Sequence, residues 1–264
     1  EYLLKDCLID EDGRPQLPDW FKDNEKGDES ISFFLELIAH CPVQAQIHPS
    51  LKKESITDFI FKPYEFTEYK LNALSKLTNL KRLDLVIGHK GGDLGKSSFM
   101  KNFDFLKNLK KLEILTVSPC FYHTNLDFLR GIKNLRELTL HKCYQLENLD
   151  SLHYLPNLEK VSLPDSVDLE NIEGLSTLSK LTHLELPFCH GLTNFDFMVN
   201  LKNLTNLHIS NYKYELDVSV LCELPNLTSL LLPCLRELRP WQQQALGKLT
   251  NLTSLSLGYK AYSD

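Results

Sequence analysis

The sequence has no run of apolar residues long enough to cross a bilayer, which takes about eighteen in a row. Its nearest approach, Ile31 to Ala39, is broken by Ser32 and Glu36. No basic segment leads into an apolar core at the start, so no secretory leader is visible. An excess of positive charge is also missing. Lys and Arg number 29 against 35 Asp and Glu, a net charge of −6, and residues 1–30 hold ten of the acids but only four of the bases. The other 234 residues therefore balance at 25 and 25. A body that is neutral in sum lacks the basic stripe a phosphate backbone demands, so nucleic acid is not an expected partner. Cysteine pairing is absent too. The seven cysteines (Cys7, Cys41, Cys120, Cys143, Cys189, Cys222, Cys234) are odd in number and form no CxxC. No clustered pairs flank the repeats, so free thiols and a reducing, cytoplasmic setting are expected.

What the chain does have is a period. The pattern Leu-x-x-Leu-x-Leu starts at Leu112, Leu135, Leu158, Leu181, Leu204 and Leu227, and every interval is 23 residues. Copies at Leu80 and Leu252 flank this run at intervals of 32 and 25, and a degenerate copy, Ile56-x-x-Phe59-x-Phe61, lies 24 residues before Leu80. The downstream half repeats as well, in MKNFDFL (100–106), HTNLDFL (123–129), LENIEGL (169–175) and LTNFDFM (192–198). Period two in the first half predicts a short strand with its leucines inward. Period three in the second half, as in Leu146, Leu149, Leu152 and Leu155, predicts a tight 3₁₀ or short helical return. One such unit cannot bury its own apolar face, so neighbours stack and share a core. About nine strands, roughly 4.8 Å apart, then form one parallel sheet.

The unit LxxLxLxxCxxLxNLDxLxxLPN resembles the leucine-rich repeat from residue 56 or so to the end. Its apolar spacing is similar to the short bacterial repeats of internalins and intracellular-pathogen effectors, and its turn cysteine to plant resistance-receptor repeats. The resemblance implies an α/β, right-handed horseshoe with a concave parallel sheet and a convex side of 3₁₀ or short helices. Residues 51–264 form the expected solenoid. Residues 1–50 form an N-terminal cap, with Ile31, Phe34, Leu35 and Ile38 on one helical face. No cap follows the last repeat, so a continuing natural chain is expected. The turn position carries Cys120, Cys143, Ser166 and Cys189 but Gly88, Tyr212 and Leu235 elsewhere, where a looser turn is expected.

Catalytic and cofactor motifs do not assemble. Gly88 to Ser97 follows a strand, yet a phosphate-binding loop needs glycine where Lys90 stands. Residues 89–98 read instead as a rim loop dispensable for folding. Cys120 with His123, His141 with Cys143, and Cys189 with His190 lack metal-ligand spacing, and their cysteines fit the buried turn position. The Asp104, Asp127, Asp150, Glu173, Asp196 column and the asparagines beside it suit turn capping better than acid–base work. Asn203-Leu-Thr205, Asn226-Leu-Thr228 and Asn251-Leu-Thr253 match glycosylation sequons, but they are also the repeat junction. No catalytic residue, cofactor or metal is expected.

A binding surface remains. Aromatic and imidazole side chains gather just beyond and along the strands, and the candidate contacts are Tyr122, His123, His141, Tyr144, His183, Phe188, His190, Tyr212 and Tyr214. Rings of this kind dominate interface energies. The expected function is non-catalytic protein binding across the concave face by a monomer. The resemblance implies a bacterial effector that is secreted into the host cytosol and binds a host protein. The alternatives are the substrate-recognition region of a larger enzyme such as a ubiquitin ligase, or the sensor region of a plant immune receptor.

Overall fold

In the computed structural model, which describes residues 8–9, 15–16, 57–61, 74–75, 77–86, 103–210, 217–232 and 239–257, the period-two segments are strands. A small antiparallel pair, β1 (Leu8–Ile9) and β2 (Pro15–Gln16), stands apart from the repeats. Nine further strands form one parallel sheet in chain order. They are β3 (Asp58–Phe61), β4 (Arg82–Val86), β5 (Ile114–Ser118), β6 (Glu137–Leu140), β7 (Lys160–Ser162), β8 (His183–Pro187), β9 (Asn206–Ser210), β10 (Ser229–Leu231) and β11 (Ser254–Ser256). Their register is the sequence period made physical, with Leu138 opposite both Leu115 and Val161 and Leu184 opposite Val161 and Leu207. The irregular intervals do not disturb it. Phe59 faces Leu83, Leu83 faces Leu115, and Leu230 faces Leu255.

The returns are 3₁₀ segments at Asp104–Asn108, Asp127–Gly131, Asp150–Tyr154, Glu173–Thr177, Asp196–Asn200 and Val218–Glu223. Leu146, Leu149, Leu152 and Leu155 are all fully buried, as a three-residue period on an inward edge requires. The last return differs and becomes an α-helix, α1 (Pro240–Leu246). This repeat is two residues longer than its neighbours. Pro240 takes the first helical position, where no N–H is needed, and the Gln242 side chain accepts the Arg239 N–H at 3.0 Å.

Polar ladders stitch the repeats. Asn125, Asn148, Asn171 and Asn194 each accept the backbone N–H two residues on, at 2.7–3.2 Å. The asparagines therefore supply these caps, because an i to i+2 turn closes from the earlier residue. Asp217 occupies the asparagine position and caps Ser219 in the same way, at 2.9 Å. A second ladder uses the repeat junction. Asn134, Asn157, Asn203, Asn226 and Asn251 donate their amides to a backbone carbonyl of the preceding repeat, at 2.7–3.1 Å. Thr205, Thr228 and Thr253 donate their hydroxyls across the same junction, at 3.0–3.1 Å. Both polar side chains of each apparent sequon are thus engaged in holding the fold. The turns after the strands form a third ladder. Lys142, Asp165 and Phe188, one period apart, have φ of 57°, 61° and 61°, and their N–H groups donate to Pro164, Pro187 and Ser210.

Several expectations fall outside the described residues: the 31–38 helix and the 1–50 cap boundary, the 89–98 loop, Tyr212, Tyr214, the loosened turns, and Cys7, Cys41 and Cys234.

Candidate protein-binding surface

Side chains flanking the inward leucines alternate with them, so β5, β6 and β8 show partly open residues at every other position. This open face is charged over β4 to β8 and largely neutral over β9 to β11. Arg82 pairs with Asp84 at 2.9 Å and Lys160 with Glu137 at 2.8 Å, while the Ser162 hydroxyl donates to Glu185 at 2.8 Å. His208 lies opposite Glu185 in the strand register, and His183 opposite Lys160 and Asn206. Thr182 Oγ1 is 2.8 Å from His183 Nδ1. Burial holds His141 and His208 below the ordinary histidine value of 6.5, against the opposing pull of Glu185 and, at His141, of Asp165. Both rings therefore favour the neutral form.

The seven candidate residues that are described fall in different settings. Tyr144 and Phe188 are 38 % and 37 % exposed. Tyr144 stacks on buried Phe121 at 5.3 Å, which fixes its ring, and Phe188 stands edge-on to half-buried His190 at 6.4 Å. Phe188 stands at positive φ, which is unusual and strained for a bulky residue. Tyr122 and His123 are differently placed. Tyr122 packs partly buried against the core. His123 lies between Phe103 at 4.8 Å and Phe128 at 4.6 Å. The reason is its register, because adding 23 to 123 reaches Leu146, then Leu169 and Leu192, which is a core column. His141 and His183 sit half-buried on the open face.

Cys120, Cys143 and Cys189 are free and buried. Burial pushes the Cys189 thiol up to about 12, and it pushes the Cys143 thiol well up as well, with the Cys120 thiol beside it adding to the effect. Such thiols are neither nucleophiles nor ready metal ligands. The Cys189 thiol donates to the Leu163 carbonyl at 3.3 Å. Among the described residues no group of three or more His, Cys, Asp or Glu is placed to hold a metal ion. In the acid column, the Ser151 hydroxyl donating at 2.6 Å, followed by Arg130 at 2.8 Å, holds Asp127 below the usual carboxylate range. No helix among the described residues is long and apolar enough to cross a membrane.

No family model and no curated protein matches the chain. Solved structures do. Internalin C2 of Listeria monocytogenes is 19 % identical over 72 % of this chain and 84 % of its own, with a TM-score of 0.47. The internalin InlF of the same organism is 19 % identical over 88 % and 89 %, with a TM-score of 0.33. A leucine-rich-repeat protein of Leptospira interrogans is 19 % identical over 80 % of this chain and 63 % of its own, with a TM-score of 0.38. The assignment itself rests on what this chain shows: a 23-residue Leu-x-x-Leu-x-Leu period, one parallel strand per period, and 3₁₀ returns closed by asparagine. The chain has the leucine-rich-repeat fold.

Proposed function

We propose that the chain is a non-catalytic protein-binding module whose contact surface is the open face of β6 to β9 together with the aromatic edge beyond it. The observation that carries this is the pair Tyr144 and Phe188. Both rings are left more than one-third exposed, whereas most of the other phenylalanines and leucines among the described residues are buried. Two strand spacings, roughly 10 Å, separate their repeats, so one partner can cover both. Rings that already pack on an aromatic neighbour, as Tyr144 does on Phe121, lose little freedom on binding, which favours them as anchors. His141, His183 and His190 supply polar contacts around them. The similarity of the repeat to internalin and effector repeats extends the proposal to a monomeric bacterial effector that meets a host protein in the host cytosol.

The test replaces Tyr144 and Phe188 together by Ala. Partner binding, measured on a protein first captured from host-cell lysate and identified by mass spectrometry, should weaken at least about thirtyfold, or roughly 2 kcal/mol. Glu147→Ala with Glu170→Ala, on exposed sites away from this face, should leave binding unchanged. A loss in the controls and none in the aromatic pair would place the contact on the 3₁₀ side and sink the proposal.

A further inference from the structure

The neutral charge of the repeat body is a sum, and the fold does not mix it evenly. Where β4 to β8 begin, at the opposite ends of the strands from Tyr144 and Phe188, an open groove of about 500 Å³ is lined by Lys81, Lys111, Arg136, Lys180, Glu113 and Glu159. Two of these cations are neutralised in place, Lys81 by Glu113 at 3.4 Å and Arg136 by Glu159 at 2.8 Å. The other two rest on amide oxygens, Lys111 on Asn79 at 2.6 Å and Lys180 on Asn157 at 2.7 Å. An amide satisfies a donor without cancelling its charge. Beside them Lys110 donates to the Gly131 carbonyl at 3.1 Å, and Lys133 lies exposed one repeat on. Among the described residues, none of Lys110, Lys111, Lys133 and Lys180 forms an ion pair with a carboxylate.

We propose that this edge is a second interaction surface and that it takes an acidic polypeptide segment laid along the strand starts. The span from the Lys111 repeat to the Lys180 repeat is three strand spacings, about 14 Å. An extended chain rising about 3.3 Å per residue covers it in about five residues. Glu113 and Glu159 stand inside the groove, two repeats apart. A nucleic acid presents a charge at every step and would be forced against both of them. A polypeptide can set carboxylates over the lysines and neutral or basic residues over the two glutamates. The cations are exposed, so the interaction gains most of its strength from long-range attraction and weakens as salt screens it. The surface is independent of the aromatic edge.

The probe is a fluorescein-labelled peptide of ten alternating Asp and Ser residues, followed by anisotropy in about 25 mM and about 150 mM salt. The expected result is saturable binding at low salt that falls at least tenfold at high salt. Lys111→Glu with Lys133→Glu should abolish it. Lys142→Glu with Lys248→Glu, which changes the net charge equally but away from the groove, should leave it within twofold. The Tyr144→Ala/Phe188→Ala protein should bind the probe like the parent, which separates this surface from the proposed one. Circular dichroism of each variant establishes that it is folded. No saturable binding by the parent, equal loss in both lysine variants, or tighter binding of a single-stranded RNA twelve-mer than of the peptide would each overturn the proposal.

Discussion

Two leucines at one repeat position make a matched experiment. Leu138 in β6 is 1 % exposed, whereas Leu255 in β11 is 46 % exposed. Truncation to Ala removes three carbons from each. At Leu138 the lost transfer energy is about 2.4 kcal/mol, from about 0.8 per buried carbon. A residual void of about 50 Å³ adds about 1.2 kcal/mol, because the stacked repeats on both sides hold the cavity open. Leu138→Ala should therefore cost about 3.6 kcal/mol, or about 7–14 °C in Tm for a chain of this size. Leu255 has already kept about half its surface in contact with solvent and leaves no closed void, so Leu255→Ala should cost about 1.3 kcal/mol. Urea unfolding followed by circular dichroism, with midpoints compared at constant slope, reads the difference. Equal costs would show that Leu255 is covered in solution. A cost under about 1 kcal/mol at Leu138 would refute the shared-core argument.

Other expectations follow from single features. An ideal Cβ at Gly174 would lie 2.1 Å from the Leu149 carbonyl oxygen, so Gly174→Ala should destabilise by about 1–3 kcal/mol, while Gly247→Ala, with its nearest contact at 3.3 Å, should be tolerated in thermal melts. Cys120, Cys143 and Cys189 should resist a thiol reagent at pH 8 in the native protein and react in denaturant, where all seven cysteines should titrate as free thiols. His141 and His208 bind their proton less readily folded than unfolded, so the unfolded state takes up more protons near their ordinary value of 6.5. Stability should accordingly be level above that pH and decline as pH falls below it. His141→Gln with His208→Gln should flatten the decline, and an unchanged slope would refute the assignment. Asn226→Asp loses the 2.7 Å bond to the Lys202 carbonyl and should lower the free energy of unfolding in urea by about 1 kcal/mol.

The sheet was legible from residue spacing because each strand buries alternate leucines and each return buries every third, so both periods were in the letters. The degenerate Phe59 copy was legible for the same reason, as its register with Leu83 shows. A 3₁₀ or short helical return was expected in every repeat, but which one would be α-helical was not read out, although a 25-residue interval and Pro240 followed by Trp-Gln-Gln-Gln-Ala-Leu are a helix start in a lengthened repeat. His123 was grouped with the candidate contacts by residue type, while its number also sets it in register with Leu146, and it lies half-buried between Phe103 and Phe128. In a repeat protein, position outranks chemistry. The lysine edge was hidden because composition adds charges without regard to place. Lys111 and Glu113 are two letters apart, but one rests on Asn79 and the other is spent on Lys81.

The ladders run both ways along the stack. Lys142 donates forward to Pro164, and Asp165 forward to Pro187, while Asn157 donates back to Lys133 and Asn203 back to Ser179. Each unit is therefore a standard part with the same sockets on its two sides. Excising residues 158–180 would bring the Lys142 N–H to the Pro187 carbonyl and keep the backbone ladder, at the loss of the Arg136–Glu159 and Lys160–Glu137 pairs. The chain encodes a joint rather than a number of joints, so its reach can be lengthened or shortened by whole units without redesigning any of them.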